Sequence, residues 1–182
     1  MAEEIDQRSN APDLGPCVCW QVRKLARKLS SLYDTVLAPE KLTVTQYSLL
    51  ANIARAGQLR HTALAEKAGM ERTTLTRNLR PLTRAKLVVA TAGLDRRQRF
   101  LQLTTAGRRK LIRCLPLWEK AQRQFLLHIG SKPMQDLRML LGSAESAVTK
   151  ALHSKSRNPE SARLSGTKES TDLLFESTTN EK

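Results

Sequence analysis

The stretch from Thr62 to Lys86, TALAEKAGMERTTLTRNLRPLTRAK, constrains the fold more than any other part of the chain. Leu64, Ala65 and Ala68 lie on one face of a short helix, Gly69 supplies a sharp turn, and Leu75, Leu79 and Leu82 return at helical spacing. Two short helices with facing apolar stripes and a glycine between them form a helix-turn-helix pattern. In that pattern the first helix braces the second, and the second is free to lie in a DNA major groove.

The outer face of the second helix carries Arg72, Thr73, Thr74, Thr76, Arg77, Asn78 and Arg80. Threonine hydroxyls can hold phosphate oxygens, arginine can pair with guanine through two hydrogen bonds, and asparagine can do the same with adenine. An ordinary solvated polar face is the plainer alternative, but Glu71 is the one acid in this stretch. Charge along the chain supports the DNA reading. The formal net charge is +14. Residues 60 to 110 hold thirteen lysines and arginines against three acids, Glu66, Glu71 and Asp95, so most of the excess sits around this motif.

Leu87–Thr91 and Arg99–Leu103 have strand character around the polar, glycine-containing tip AGLDRRQ, which predicts a hairpin. Arg96, Arg97 and Arg99 at or near the tip suit the narrow minor groove, where the potential is most negative. Asp95 suits the task of orienting a neighbouring arginine.

The flanking segments predict helices. Apolar residues at spacings of three and four run from Pro16 to Leu37, where Pro39 stops the helix. Thr43 caps a second helix reaching Ala54, with Gly57 as its stop, and His61–Ala68 and Arg72–Ala85 are the helices of the motif. Thr104 caps a fifth helix that runs to His128, Gly130, Ser131 and Pro133 break it, and a sixth spans Pro133–Leu152. Residues 1–15 and 153–182 lack a hydrophobic period and read as a disordered N-terminal segment and a disordered tail.

The predicted fold class is therefore mainly α, a winged helix-turn-helix over residues 42–103. Helices over 16–38 and 104–152 carry more apolar surface than one small chain can bury, which predicts a homodimer. Pairing would set two reading helices one helical turn of DNA apart, about 34 Å.

At this point the strings LTVTQYSLLANIA, LAEKAGMERTTLTRNLRPLTRAKLV and DRRQRFLQLTTAG, in that order and spacing, resemble the MarR family of winged-helix regulators over roughly residues 17 to 150. The resemblance implies a triangular homodimer interlocked through the first, fifth and sixth helices. It implies a fourth helix in the major groove and a wing in the minor groove of a pseudo-palindromic operator. It also implies release by a small ligand, an oxidant or a metal. Two residues depart from the family pattern. Lys86 stands where the turn after the reading helix usually carries glycine, and a left-handed turn there would cost a lysine about 1 kcal/mol unless the helix unwinds first. Pro81 lies inside the fourth helix and would bend or shorten it.

Cys17, Cys19 and Cys114 are too few for a disulfide framework. Cys17-x-Cys19 can chelate a soft metal or, near a helix N-terminus, be readily oxidised. In dimers of the resembled family, helix five, which carries Cys114, packs close to helix one, so the three thiols could converge. The plainer reading, and the favoured one, is that all three are small buried hydrophobes. Trp20, Arg23, Tyr33 and Tyr47 are candidates for a small-molecule pocket, with core packing as the alternative. His61, His128 and His153 form no ligand pair, and no cofactor is called for.

No phosphate loop, zinc-protease motif or nucleophile elbow is present, so an enzyme is not expected. No apolar run is long enough to span a membrane, and the polar opening MAEEIDQRSNAPDLG is unlike a signal peptide, so the location expected is cytoplasmic, with no membrane partner. The competing function is a non-specific nucleic-acid-binding architectural protein, which would share the charge but need no reading helix.

Overall fold

A computed structural model describes residues 17–92 and 98–156. Within it the order of elements is α1 (Val18–Leu37), a 3-10 turn (Ala38–Glu40), α2 (Val44–Ala56), β1 (Gln58–Arg60), α3 (His61–Lys67), α4 (Arg72–Arg84), β2 (Val88–Ala92), β3 (Arg99–Leu103), α5 (Thr105–Ile129) and α6 (Ser131–Ser156). This is the mainly helical winged fold expected. The described residues divide into two compact units with the boundary between His128 and Ile129. Among them no helix is long and apolar enough to cross a membrane.

The first unit closes around one core. Leu37, Leu49, Leu50, Ile53, Leu64, Leu75, Leu82 and Cys114 are fully buried, with Tyr47, Leu79, Val88 and Leu101 nearly so. The three leucines of α4 are the ones the sequence placed inward, at 0%, 5% and 1% exposure. Each such side chain stabilises the packed state by about 1.5–3 kcal/mol relative to exposure.

Local chemistry sets the helix ends. Thr43 caps α2 with a full capping box: its hydroxyl accepts from the Gln46 amide, and the Gln46 side chain accepts from the Thr43 amide. Asp34 of α1 adds a third link by accepting from the Val44 amide at 2.6 Å, which ties the two helices together. Gly69 ends α3 with φ +60, while its amide reaches Glu66 and the amide of Met70 reaches Ala65. The same two-bond ending recurs after α4, where Lys86 bonds back to Thr83 and Leu87 to Leu82. The helix does not unwind to spare the lysine: Lys86 sits in the left-handed region at φ 54. Pro81 does not end α4 either. The helix continues to Arg84, lacking only the amide that would have met the Arg77 carbonyl.

Several expected boundaries shift. The region after Gly57 is not a plain loop. Gly57, at φ +70, redirects the chain so that Gln58–Arg60 adds a third antiparallel strand, giving the order β1-β3-β2. The register pairs Arg60 with Phe100 and Ala92 with Arg99. Three residues are too few to show a period, so this strand could not be read from pattern. Pro16 lies before α1, whose N-cap is Cys17. Pro133 is not a breaker: it occupies the first turn of α6, where no helical amide donor is needed. The helix then runs to Ser156, four residues into the segment expected to be tail. A second internal proline, Pro116, lies within α5. Residues 1–16, the wing tip 93–97 and residues 157–182 lie outside the described residues, so the expected disorder of both termini is not addressed.

The wing is fastened to α5 at one point. Thr104 accepts from the Gly107 amide at 3.0 Å and donates to the Lys86 carbonyl at 2.7 Å, so one hydroxyl both caps α5 and holds the turn after α4. Gly107 lies directly against the Leu87 carbonyl, with no room there for a Cβ.

Candidate nucleic-acid interface

Burying Leu75, Leu79 and Leu82 forces the opposite face of α4 outward. Arg72, Thr73, Thr74, Thr76, Arg77 and Arg80 are all exposed. Asn78 differs: it is half-buried, and its amide donates to the Thr74 carbonyl at 2.9 Å, so it is held along its own helix. Thr76 is also engaged, donating to the Arg72 carbonyl at 2.8 Å and lying 3.3 Å from His61 Nε2.

Arg72, Thr73, Thr76 and Arg77 border a cleft of about 760 Å³ between the start of α3, the first turns of α4 and the base of β3. Its lining is Arg60, His61, Thr62, Arg72, Thr73, Thr76, Arg77, Gln98 and Arg99, with no carboxylate among the described residues. Arg99, expected with the wing arginines, lines the same cleft as the α4 residues. Arg96, Arg97 and Asp95 lie in the segment outside the described residues. Arg60, His61, Thr62 and Gln98 were not anticipated. They reach the cleft because β1 pairs with β3, and that pairing also stacks the Arg60 guanidinium 5.7 Å over the Phe100 ring. The polar run Arg60–His61–Thr62, beginning three positions after Gly57, was the available signal. The His61 imidazole is held below its ordinary pKa, first by burial and then by the Arg72 charge.

A second cleft of about 520 Å³ lies beneath the C-terminal half of α4. Pro81, Leu82, Ala85 and Leu87 meet Leu42 and Ala106 there, under a rim of Lys41, Arg109, Lys110 and Arg113. Glu40 holds two of these cations, Lys110 at 2.7 Å and Arg113 at 3.2 Å. Its carboxyl is held below the ordinary value, chiefly by the Lys110 hydrogen bond.

The four pocket candidates differ in their surroundings. Tyr47 is a core residue, 6% exposed and stacked on Trp118 with centroids 6.0 Å apart. Burial raises the pKa of its phenol. Trp20 and Arg23 are exposed on the first half of α1, where Trp20 packs under Arg27 at 5.6 Å. Tyr33 is half-buried on α1. None of the four lines either cleft.

The cysteines differ in exposure. Cys114 is fully buried, and that burial pushes its thiol pKa up, which is the small-hydrophobe reading. Cys17 and Cys19 are exposed at the start of α1. Among the described residues no three His, Cys, Asp or Glu side chains gather as metal ligands.

A braced helix with a cationic outer face, followed by a hairpin to which an earlier strand adds, defines a winged helix-turn-helix protein. Comparison with known proteins carries this further. The model of the MarR family matches residues 42–93. The Mycobacterium tuberculosis transcriptional regulator MosR, solved in complex with DNA, is 38% identical, with 72% of this chain and 98% of that one covered and a TM-score of 0.63. The E. coli regulator MarR, solved as a mutant with operator DNA, is 20% identical with a TM-score of 0.67, covering 74% of this chain and 99% of that one, which speaks to the fold. A probable transcriptional regulator from Pseudomonas aeruginosa is 22% identical at a TM-score of 0.66, covering 72% and 99%. No curated protein matches significantly. The chain belongs to the MarR family of transcriptional regulators.

Proposed function

We propose that this regulator binds a specific duplex operator as a homodimer and represses transcription until a ligand, oxidant or metal releases it. The observation that carries the reading is the division of α4 into a buried leucine face and an exposed face of arginines and threonines. A non-specific binder needs the charge but not this helix. The relative at 38% identity, crystallised with DNA, supports the same reading. Arg72, Arg77 and Arg80 would read the major groove, helped by Thr73 and Thr74, while Arg96, Arg97 and Arg99 would serve the minor groove, with Asp95 orienting a neighbouring arginine.

Exposed apolar side chains support the dimer. Val18, Val22 and Leu25 on α1, Ile112 and Leu127 on α5, and Leu140, Val148 and Leu152 on α6 are 40% to 83% exposed. Surface of that kind is costly to leave in water. For release, a ligand seated in the 520 Å³ cleft would press on Pro81, Leu82 and Ala85 of the reading helix. Cys17 and Cys19 are the thiols that an oxidant or a soft metal would reach. Binding assays with a selected operator and with random duplex at fixed salt test the reading. A specific regulator prefers the operator by at least about a thousandfold, and equal affinity favours the architectural alternative.

A further inference from the structure

The 760 Å³ cleft beside α4 gathers four guanidinium groups, Arg60 at the end of β1, Arg72 and Arg77 on α4, and Arg99 on β3. No carboxylate among the described residues lines it. Cations crowded into one cleft repel one another, and the arrangement becomes favourable when an anion enters. His61 stands among them and is the one imidazole in the described lining, the side chain whose ordinary pKa lies closest to neutrality.

Hydrogen bonding fixes how His61 is held. Thr76 has a single hydroxyl proton, and its 2.8 Å bond to the Arg72 carbonyl uses it. The 3.3 Å contact with His61 Nε2 must then run the other way, with Nε2–H donating to the threonine oxygen. Neutral His61 thus carries its proton on Nε2 and keeps a lone pair on Nδ1, where a second proton can be added without disturbing the link from α3 to α4. Burial and the Arg72 charge favour the neutral form while the cleft is empty of anions. A phosphodiester brought among the arginines offsets part of their repulsion and shifts the balance toward imidazolium.

We infer that this cleft seats a backbone phosphate of bound DNA and that His61 takes up a proton as the phosphate enters, so that DNA binding tightens as the pH falls. The inference rests on the DNA-binding reading above. By linkage, the proton is taken up between the pKa of His61 in the free protein and its higher value in the complex. Affinity therefore rises as pH falls through the upper value and levels off below the lower one.

The test uses the full chain and a mixed-sequence duplex of about 30 base pairs at about 50 mM salt, because backbone phosphates are common to all sequences. Fluorescence anisotropy between about pH 8 and about pH 6 should show wild-type binding tightening about tenfold more than His61→Gln. Glutamine keeps a donor for Thr76 and cannot gain the charge. NMR titration of the His61 ring in the wild-type protein gives a readout that needs no variant: the duplex should raise its midpoint, and inorganic phosphate at the same ionic strength should not. An unmoved midpoint, or a variant that follows the wild-type pH profile, overturns the inference while leaving DNA binding intact. Inorganic phosphate acting as strongly as the duplex would make the cleft a small-anion site and overturn it too. No association with duplex at any pH would remove the DNA-binding reading itself, and the inference with it.

Discussion

Single residues carry much of what distinguishes this chain. Lys86 holds a left-handed turn that glycine would hold without strain. Lys86→Gly should raise stability by up to about 1 kcal/mol, with the gain reduced by the extra freedom of glycine in the unfolded chain. Denaturant unfolding measures it, and a clear loss would mean that the lysine side chain contributes more than its backbone costs. Gly107 is the opposite case. Any Cβ there meets the Leu87 carbonyl, so Gly107→Ala should destabilise by about 1–3 kcal/mol in the same assay. At the interface, Arg77→Ala should weaken operator binding by about 1–3 kcal/mol and relax base preference. An equal loss on random duplex would assign Arg77 to phosphate rather than to bases. Helical spacing places Asn78 on this face but cannot show its side chain folding back onto the Thr74 carbonyl.

Elements were legible to the extent that their signals are local. The capping residue Thr43, the turn glycine Gly69 and the leucine stripe of α4 are written within a few residues of where they act, and the structure reproduces each. β1 was not legible, since its three residues become a strand only through pairing with β3, some forty positions away. That missing strand also hid Arg60 and His61 from the candidate interface. The ion pairs of Glu40 with Lys110 and Arg113 were equally opaque, because they join residues about seventy positions apart in the chain. That contact makes a prediction. The carboxyl pKa of Glu40 is depressed in the folded state, so its stabilisation is complete above the ordinary value of 4.5 and fades as pH falls below it. Glu40→Gln should cost about 0.5–1 kcal/mol near neutrality and almost nothing at the acid end, by thermal unfolding at a series of pH values. A cost independent of pH would mean the loss is one of packing.

For the molecule as a whole, charge and apolar surface have separate tasks. Cations concentrate around α4 and the wing, while large exposed apolar side chains recur along α1, α5 and α6. A lone chain has reason to keep the first in water and none to keep the second. Two chains joined through the apolar helices would present two cationic reading heads to one face of a duplex. Sedimentation of the full chain with a duplex recovered by selection from a random pool tests this arrangement most directly. The account predicts twice the 20.4 kDa chain mass in the free protein and two chains on each operator, held at least about a thousandfold more tightly than on random duplex at the same salt. A free monomer that binds one chain at a time, with equal affinity for any sequence, would contradict it.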